Sequence, residues 1–157
     1  MELRTDKIRA CFDRKIGNFT ELWNLSTNTN YVRCAPRDPL IELYGLKNGE
    51  RVKLSGHISD VAEAPDALIL SYDSFGEYDI SAKVTCRCEQ DRLAFSAEIC
   101  NHSTIDVTEI LMPHLGGIYL GNGQKDYLIY PHHAGDKTED PVYNYAENRL
   151  TFWRGCS

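Results

Sequence analysis

The sequence contains no uninterrupted apolar run near the roughly 18 residues that cross a bilayer as a helix, so no such span is expected. Its first ten residues, Met1 to Ala10, are mostly charged and polar and lack a signal-peptide core. The expected location is therefore cytoplasmic as written, or secreted if an export signal has been removed. Positive charge is scarce: 17 Lys and Arg stand against 23 Asp and Glu, a formal net charge of −6. The longest basic cluster is Arg4, Lys7 and Arg9. A nucleic-acid surface needs clustered cations to displace counterions, so neither a nucleic-acid partner nor an anionic membrane surface is expected. Helix-forming residues show no sustained stripe, and there is no fixed-period repeat or low-complexity segment. The motifs G-x-S-x-G, H-E-x-x-H and the phosphate-binding P-loop are also missing.

What is present is an ordinary globular balance. The chain has 157 residues, 42% of them hydrophobic and 25% charged, which suits one domain over 1–157 with a sizeable core. Nine Tyr, five Phe and two Trp lie among short β-branched runs, a composition that favours strands. Ile8, Ala10 and Phe12 alternate with polar neighbours, Gly17-Asn18 turns the chain, and Phe19 to Leu25 returns. Asn24 to Asn30 reads as loop. Strands are expected at Leu40–Leu46 and Arg51–Leu54, joined by an Asn48-Gly49 type I′ turn, and then at His57–Ala62 and Ala67–Tyr72.

The clearest segment is Ile80 to Cys100. Ile80, Ala82, Val84, Cys86 and Cys88 share one strand face, and Leu93, Phe95, Ala97 and Ile99 share the next. A turn at Gln90-Asp91 sets Cys88 against Leu93, Cys86 against Phe95, Val84 against Ala97 and Ala82 against Ile99. A slip of one residue would invert every face, so the register is strongly specified. Further strands are expected at Val107–Met112, around Ile118–Leu120 and at Tyr127–Tyr130, with a loop from Pro131 to Pro141. Leu150 to Trp153 reads as the start of another. About ten strands at intervals of 8–12 residues predict an all-β, antiparallel β-sandwich. The two aromatics near the end suggest a fold incomplete at the C-terminal side, belonging to a longer protein.

The six cysteines read as small buried thiols rather than a disulfide framework. Cys86-Arg87-Cys88 has the wrong spacing for zinc, and both thiols should face the core. The sequons at Asn18, Asn24 and Asn101 read as turn-rich strand ends. No carboxylate pair can be singled out from sequence for acid–base work, so no catalytic residue, metal or cofactor is assigned. Rings and polar groups near loops remain: Tyr31, Tyr119, Tyr143, Tyr145 and Trp153 can stack on the C–H faces of sugars. The segment after Pro131 gathers several such groups, and the ligand-contact candidates are His132, His133, Asp136, Tyr143 and Tyr145.

The order "LAFSAEICN", "VTEILMPHLGGIYLG" and "KDYLIYPHHAG" resembles the galactose-mutarotase-like supersandwich domain that precedes the catalytic barrel in certain bacterial glycoside hydrolases. Those relatives include the endo-α-N-acetylgalactosaminidases. The resemblance implies a scaffold that packs on the catalytic barrel domain of the same chain and contributes loops toward carbohydrate, with no catalytic activity of its own. The expected function is thus a non-catalytic N-terminal module of a larger carbohydrate-active enzyme. The alternatives are a free-standing carbohydrate-binding module and a small aldose 1-epimerase. The epimerase would need a His and a carboxylate converging on one concave face.

Overall fold

The computed structural model describes residues 1–32, 34, 38–115, and the backbone of 127–130 and 136–139. The chain divides into two compact units, Met1–Tyr119 and Leu120–Ser157. All the regular structure among the described residues is antiparallel strand, and the first unit is an all-β, sandwich-like fold of three sheets.

The first sheet has the order β1 (Glu2–Arg4), β2 (Ile8–Phe12), β3 (Phe19–Asn24), β4 (Thr29–Asn30). Its inner row runs Leu3, Ala10, Leu22 in register, and its outer row runs Glu2, Cys11, Glu21. A bulge between Cys11 and Phe12 lets Phe12 meet Phe19, their rings 4.7 Å apart. Neither β1 nor β4 follows from the hydrophobic pattern. At three and two residues they are too short to show a period, and backbone pairing alone defines them.

The third sheet is β11 (Asp106–Leu111), β5 (Glu42–Lys47), β6 (Glu50–Leu54). Between β5 and β6 both turn residues take positive φ, 53° at Asn48 and 81° at Gly49, the geometry expected of this dipeptide. The second sheet has the order β10 (Arg92–Asn101), β9 (Ile80–Glu89), β8 (Ala67–Tyr72), β7 (Asp60–Glu63). Here the β9–β10 register is the expected one along its whole length, from Arg92↔Glu89 to Asn101↔Ile80. Strand β7 runs from Asp60 to Glu63 rather than from His57 to Ala62, and Gly56 before it forms an isolated bridge to Phe75.

One apolar cluster joins the three sheets: Leu3, Ala10, Phe12 and Phe19 from the first, Leu68, Leu70, Tyr72, Ile80 and Val84 from the second, Leu43 and Leu54 from the third. Burial is uneven across the β9–β10 hairpin. The core-facing residues of β9 from Ile80 to Cys86 are buried, whereas Leu93, Phe95, Ala97 and Ile99 on β10 are only half-buried.

In the second unit β12 (Tyr127–Tyr130) pairs with β13 (Asp136–Glu139), from Tyr127↔Glu139 to Tyr130↔Asp136. The loop expected over 131–141 therefore contains a strand. Its sequence, Asp-Lys-Thr-Glu, is wholly polar, so no alternation could announce it.

Candidate functional site

Of the residues nominated for ligand contact, His132, His133, Tyr143 and Tyr145 lie outside the described residues. For Asp136 the backbone is placed at the start of β13, opposite Tyr130, and its side chain lies outside the description. Tyr119 and Trp153 also lie outside. Tyr31 is described, and it borders a cleft that the sequence did not announce.

That cleft has a volume of about 410 Å³ and opens between β2–β3 and the β10 end of the second sheet. It falls within the size range of small-molecule sites. Ile8, Phe19, Leu22, Leu93, Phe95 and Leu115 form an apolar lining, and Phe95 meets Phe19 edge-on at 6.2 Å. Lys7, Asn24, Ser26, Tyr31 and Asp91 bring polar groups to its wall. Lys7 Nζ lies 3.8 Å from Asp91, tying the approach to β2 to the β9–β10 turn. Ile8, Leu22, Leu93 and Phe95 face inward by alternation, the register shift opposite Phe12 turns Phe19 inward as well, and the half-covered face of β10 leaves the space.

The second constellation surrounds Glu42, whose carboxylate sits at the start of β5 and is only 3% exposed. Lys53 on β6 forms an ion pair with it, the Tyr44 hydroxyl donates to Oε2 at 3.0 Å, and His114 Nδ1 stands 3.4 Å from Oε1. Burial by itself would raise the Glu42 pKa. The hydrogen bonds from Lys53 and Tyr44 and the nearby charges outweigh it, so the carboxyl is held below its ordinary range. His114 is itself fixed through its backbone, its N–H donating to Leu40 O at 2.8 Å and its carbonyl accepting from Asn18 Nδ2 at 2.8 Å. A His and a carboxylate do converge here, but onto each other. The carboxylate already bonds Lys53 and Tyr44, and the buried His114 Nδ1 stands near it without a hydrogen-bond partner among the described residues. The group clasps β5 and β6 together beside the 112–115 segment.

The third constellation is the outer face of the first sheet. Arg9 Nε donates to Glu2 Oε2 at 3.0 Å, and its Nη1 lies 3.2 Å from Glu21 Oε2. The Trp23 indole N–H donates to the same Glu21 oxygen at 2.8 Å. Cys11 sits between the two carboxylates, its Sγ 3.6 Å from Glu2 and 3.9 Å from Glu21. Desolvation raises its pKa and the carboxylates add to this against the pull of Arg9, so the group stands as a thiol. The basic residues Arg9 and Lys7 are thus engaged with carboxylates.

Cys86 is buried and its thiol is pushed up to about 12, chiefly by burial. Cys88 packs beside the core and burial raises it as well, so both face inward as the alternation predicts. The expectation of buried thiols needs correcting at Cys34 and Cys100, which are exposed. Cys100 follows the inward Ile99 on a strand and so takes the opposite face. Asn18, read from sequence as a strand-end turn residue, is 1% exposed, and its amide donates to the carbonyls of Asp38 at 2.9 Å and His114 at 2.8 Å. Among the described residues no three His, Cys, Asp or Glu side chains gather as a metal-binding group.

Glu42 and Trp23 carried no distinguishing signal in sequence. A single Glu opening an apolar strand and a single Trp on a polar strand face acquire their neighbours only from other strands. Set beside known proteins, the chain matches no protein family, no curated protein and no solved structure.

Proposed function

We propose that this chain is a non-catalytic β-sandwich module of a larger carbohydrate-active enzyme, galactose-mutarotase-like in architecture, which supports a catalytic barrel domain and contributes sugar contacts. The observation that carries the reading is the unequal cover of the β9–β10 hairpin. Strand β9 is buried on its inner face from Ile80 to Cys86, whereas Leu93, Phe95, Ala97 and Ile99 remain half-buried, Leu93 and Phe95 beside an apolar cleft. Partly covered apolar surface of this kind suits a module that gains stability by packing on a neighbour. The burial of Glu42 and its engagement by Lys53 and Tyr44 support a structural role for that group, because an acid–base residue must keep a face toward substrate.

Two measurements test the reading. The reading frame beyond the Ser157 codon should continue into several hundred residues of strand–helix repeats, and a stop codon at that point removes the support role. Polarimetry of galactose anomerisation should show the uncatalysed rate in the presence of the protein, and a clear acceleration would replace this reading with an epimerase.

A further inference from the structure

The outer face of the first sheet presents a side-chain set that neither the core nor the clasp at Glu42 uses. In register across the strands, Arg4 lies beside Arg9 and Arg9 beside Trp23, while Glu2 lies beside Cys11 and Cys11 beside Glu21. These two rows form a surface patch with one large, half-buried ring, carboxylate and guanidinium groups, and the Cys11 thiol between the carboxylates. We propose that this patch is a binding platform for a neutral polysaccharide chain, in which the Trp23 indole stacks on a pyranose ring while Arg9, Glu2 and Glu21 bond its hydroxyls. The proposal rests on the carbohydrate-associated reading above and names the surface and the ligand class.

Three features of the patch select that ligand. First, it carries two carboxylates against two guanidinium groups, with Arg9 bridging both Glu2 and Glu21. A charge-balanced surface, with Arg9 paired to both carboxylates, offers no net attraction to an anionic or cationic polymer, whereas neutral hydroxyls can use it. Second, capacity for hydrogen bonding remains. A guanidinium has five N–H donors, and the contacts to Glu2 and Glu21 use Arg9 Nε and Nη1, while the Oε1 atoms of Glu2 and Glu21 enter none of these bonds. Sugar hydroxyls both donate and accept, so they match such a mixed set. Third, the Trp23 N–H to Glu21 bond fixes the indole before any ligand arrives, which lowers the ordering cost of stacking. A protein partner would be expected to bury a broader apolar centre than one indole among charges. Trp23 and Asn24 also border the cleft, so a chain lying across the sheet would reach the Tyr31 and Ser26 side of its rim.

The test is affinity electrophoresis of the full chain in native gels containing soluble starch, galactomannan or xyloglucan, with heparin as the anionic comparison. Retardation by at least one neutral polysaccharide and not by heparin is expected. Trp23→Ala should weaken it about tenfold or more, the order of one lost aromatic contact. Trp23→Phe, which keeps a ring, should fall between, and Tyr78→Phe, away from the patch, should leave retardation unchanged. Circular dichroism of each variant confirms that it is folded. Retardation that survives Trp23→Ala in a folded protein overturns the platform while leaving sugar contact by the module intact. Retardation by heparin alone, or by none of the polymers, overturns the platform, and the support role stands or falls separately on the downstream reading frame.

Discussion

Three glycines separate two costs that usually arrive together, the strain of a left-handed backbone and the lack of room for a Cβ. Gly49 has φ +81° and nothing within 4 Å of a Cβ, so Gly49→Ala meets conformational strain alone. Gly56 has no positive φ, but a Cβ there would lie 2.6 Å from Phe75 Cε1 and 2.7 Å from its Cδ1. Phe75 is 0% exposed and stacks on Tyr72 at 5.6 Å, so the ring has little room to yield. Gly17 combines both, with φ +69° and a Cβ 2.5 Å from Leu70 Cδ1 and 2.9 Å from Ile58 Cδ1, terminal methyls that yield more readily than the Phe75 ring. Left-handed strain costs about 1–2 kcal/mol. Overpacking costs about 1–3 kcal/mol. The stiffer unfolded chain of an alanine variant offsets about 0.4–1 kcal/mol in each. The expected order of destabilisation is Gly49→Ala about 1 kcal/mol, Gly56→Ala about 1–2, and Gly17→Ala about 1–3, its packing cost at the low end because methyls can move aside. Urea denaturation followed by circular dichroism, with a common slope across the variants, measures this directly. If Gly17→Ala proves no worse than Gly49→Ala, the packing of Leu70 and Ile58 around this turn is not as described.

Two further perturbations follow from the buried polar groups. Because the folded pKa of Glu42 is lowered from 4.5, its contribution is complete above that ordinary value and is lost as pH falls through the lowered one. Glu42→Gln should therefore destabilise at neutral pH, by about 1–3 kcal/mol given that Lys53 is partly exposed, and should flatten the acid limb of stability against pH. An unchanged acid limb would refute the clasp. Asn18→Ala and Asn18→Asp both remove the amide that feeds the carbonyls of Asp38 and His114, so each should cost about 2–4 kcal/mol in urea titrations. Near-neutral behaviour of the aspartate variant would show that the donor role is not what holds Asn18.

The sequence determined on its own those parts of the fold that rest on nearby residues repeating with a period. Ile80 to Ile99 alternates strictly enough that one register sets Ala82, Val84, Cys86 and Cys88 against Ile99, Ala97, Phe95 and Leu93 on one face, and Asn48-Gly49 fits a turn that demands two positive φ values. Tertiary structure alone decided what depends on strands distant in sequence. Strands β1, β4 and β13 are too short or too polar to carry a hydrophobic period, and pairing with a neighbour defines them. Glu42 becomes a buried hub only when Lys53 and His114 arrive from other segments, and Trp23 joins a polar patch only when β1 and β2 place Glu2 and Arg9 beside it. Alternation fixes which way a side chain points, but not which distant side chains it meets, because strand pairing and sheet packing bring those together.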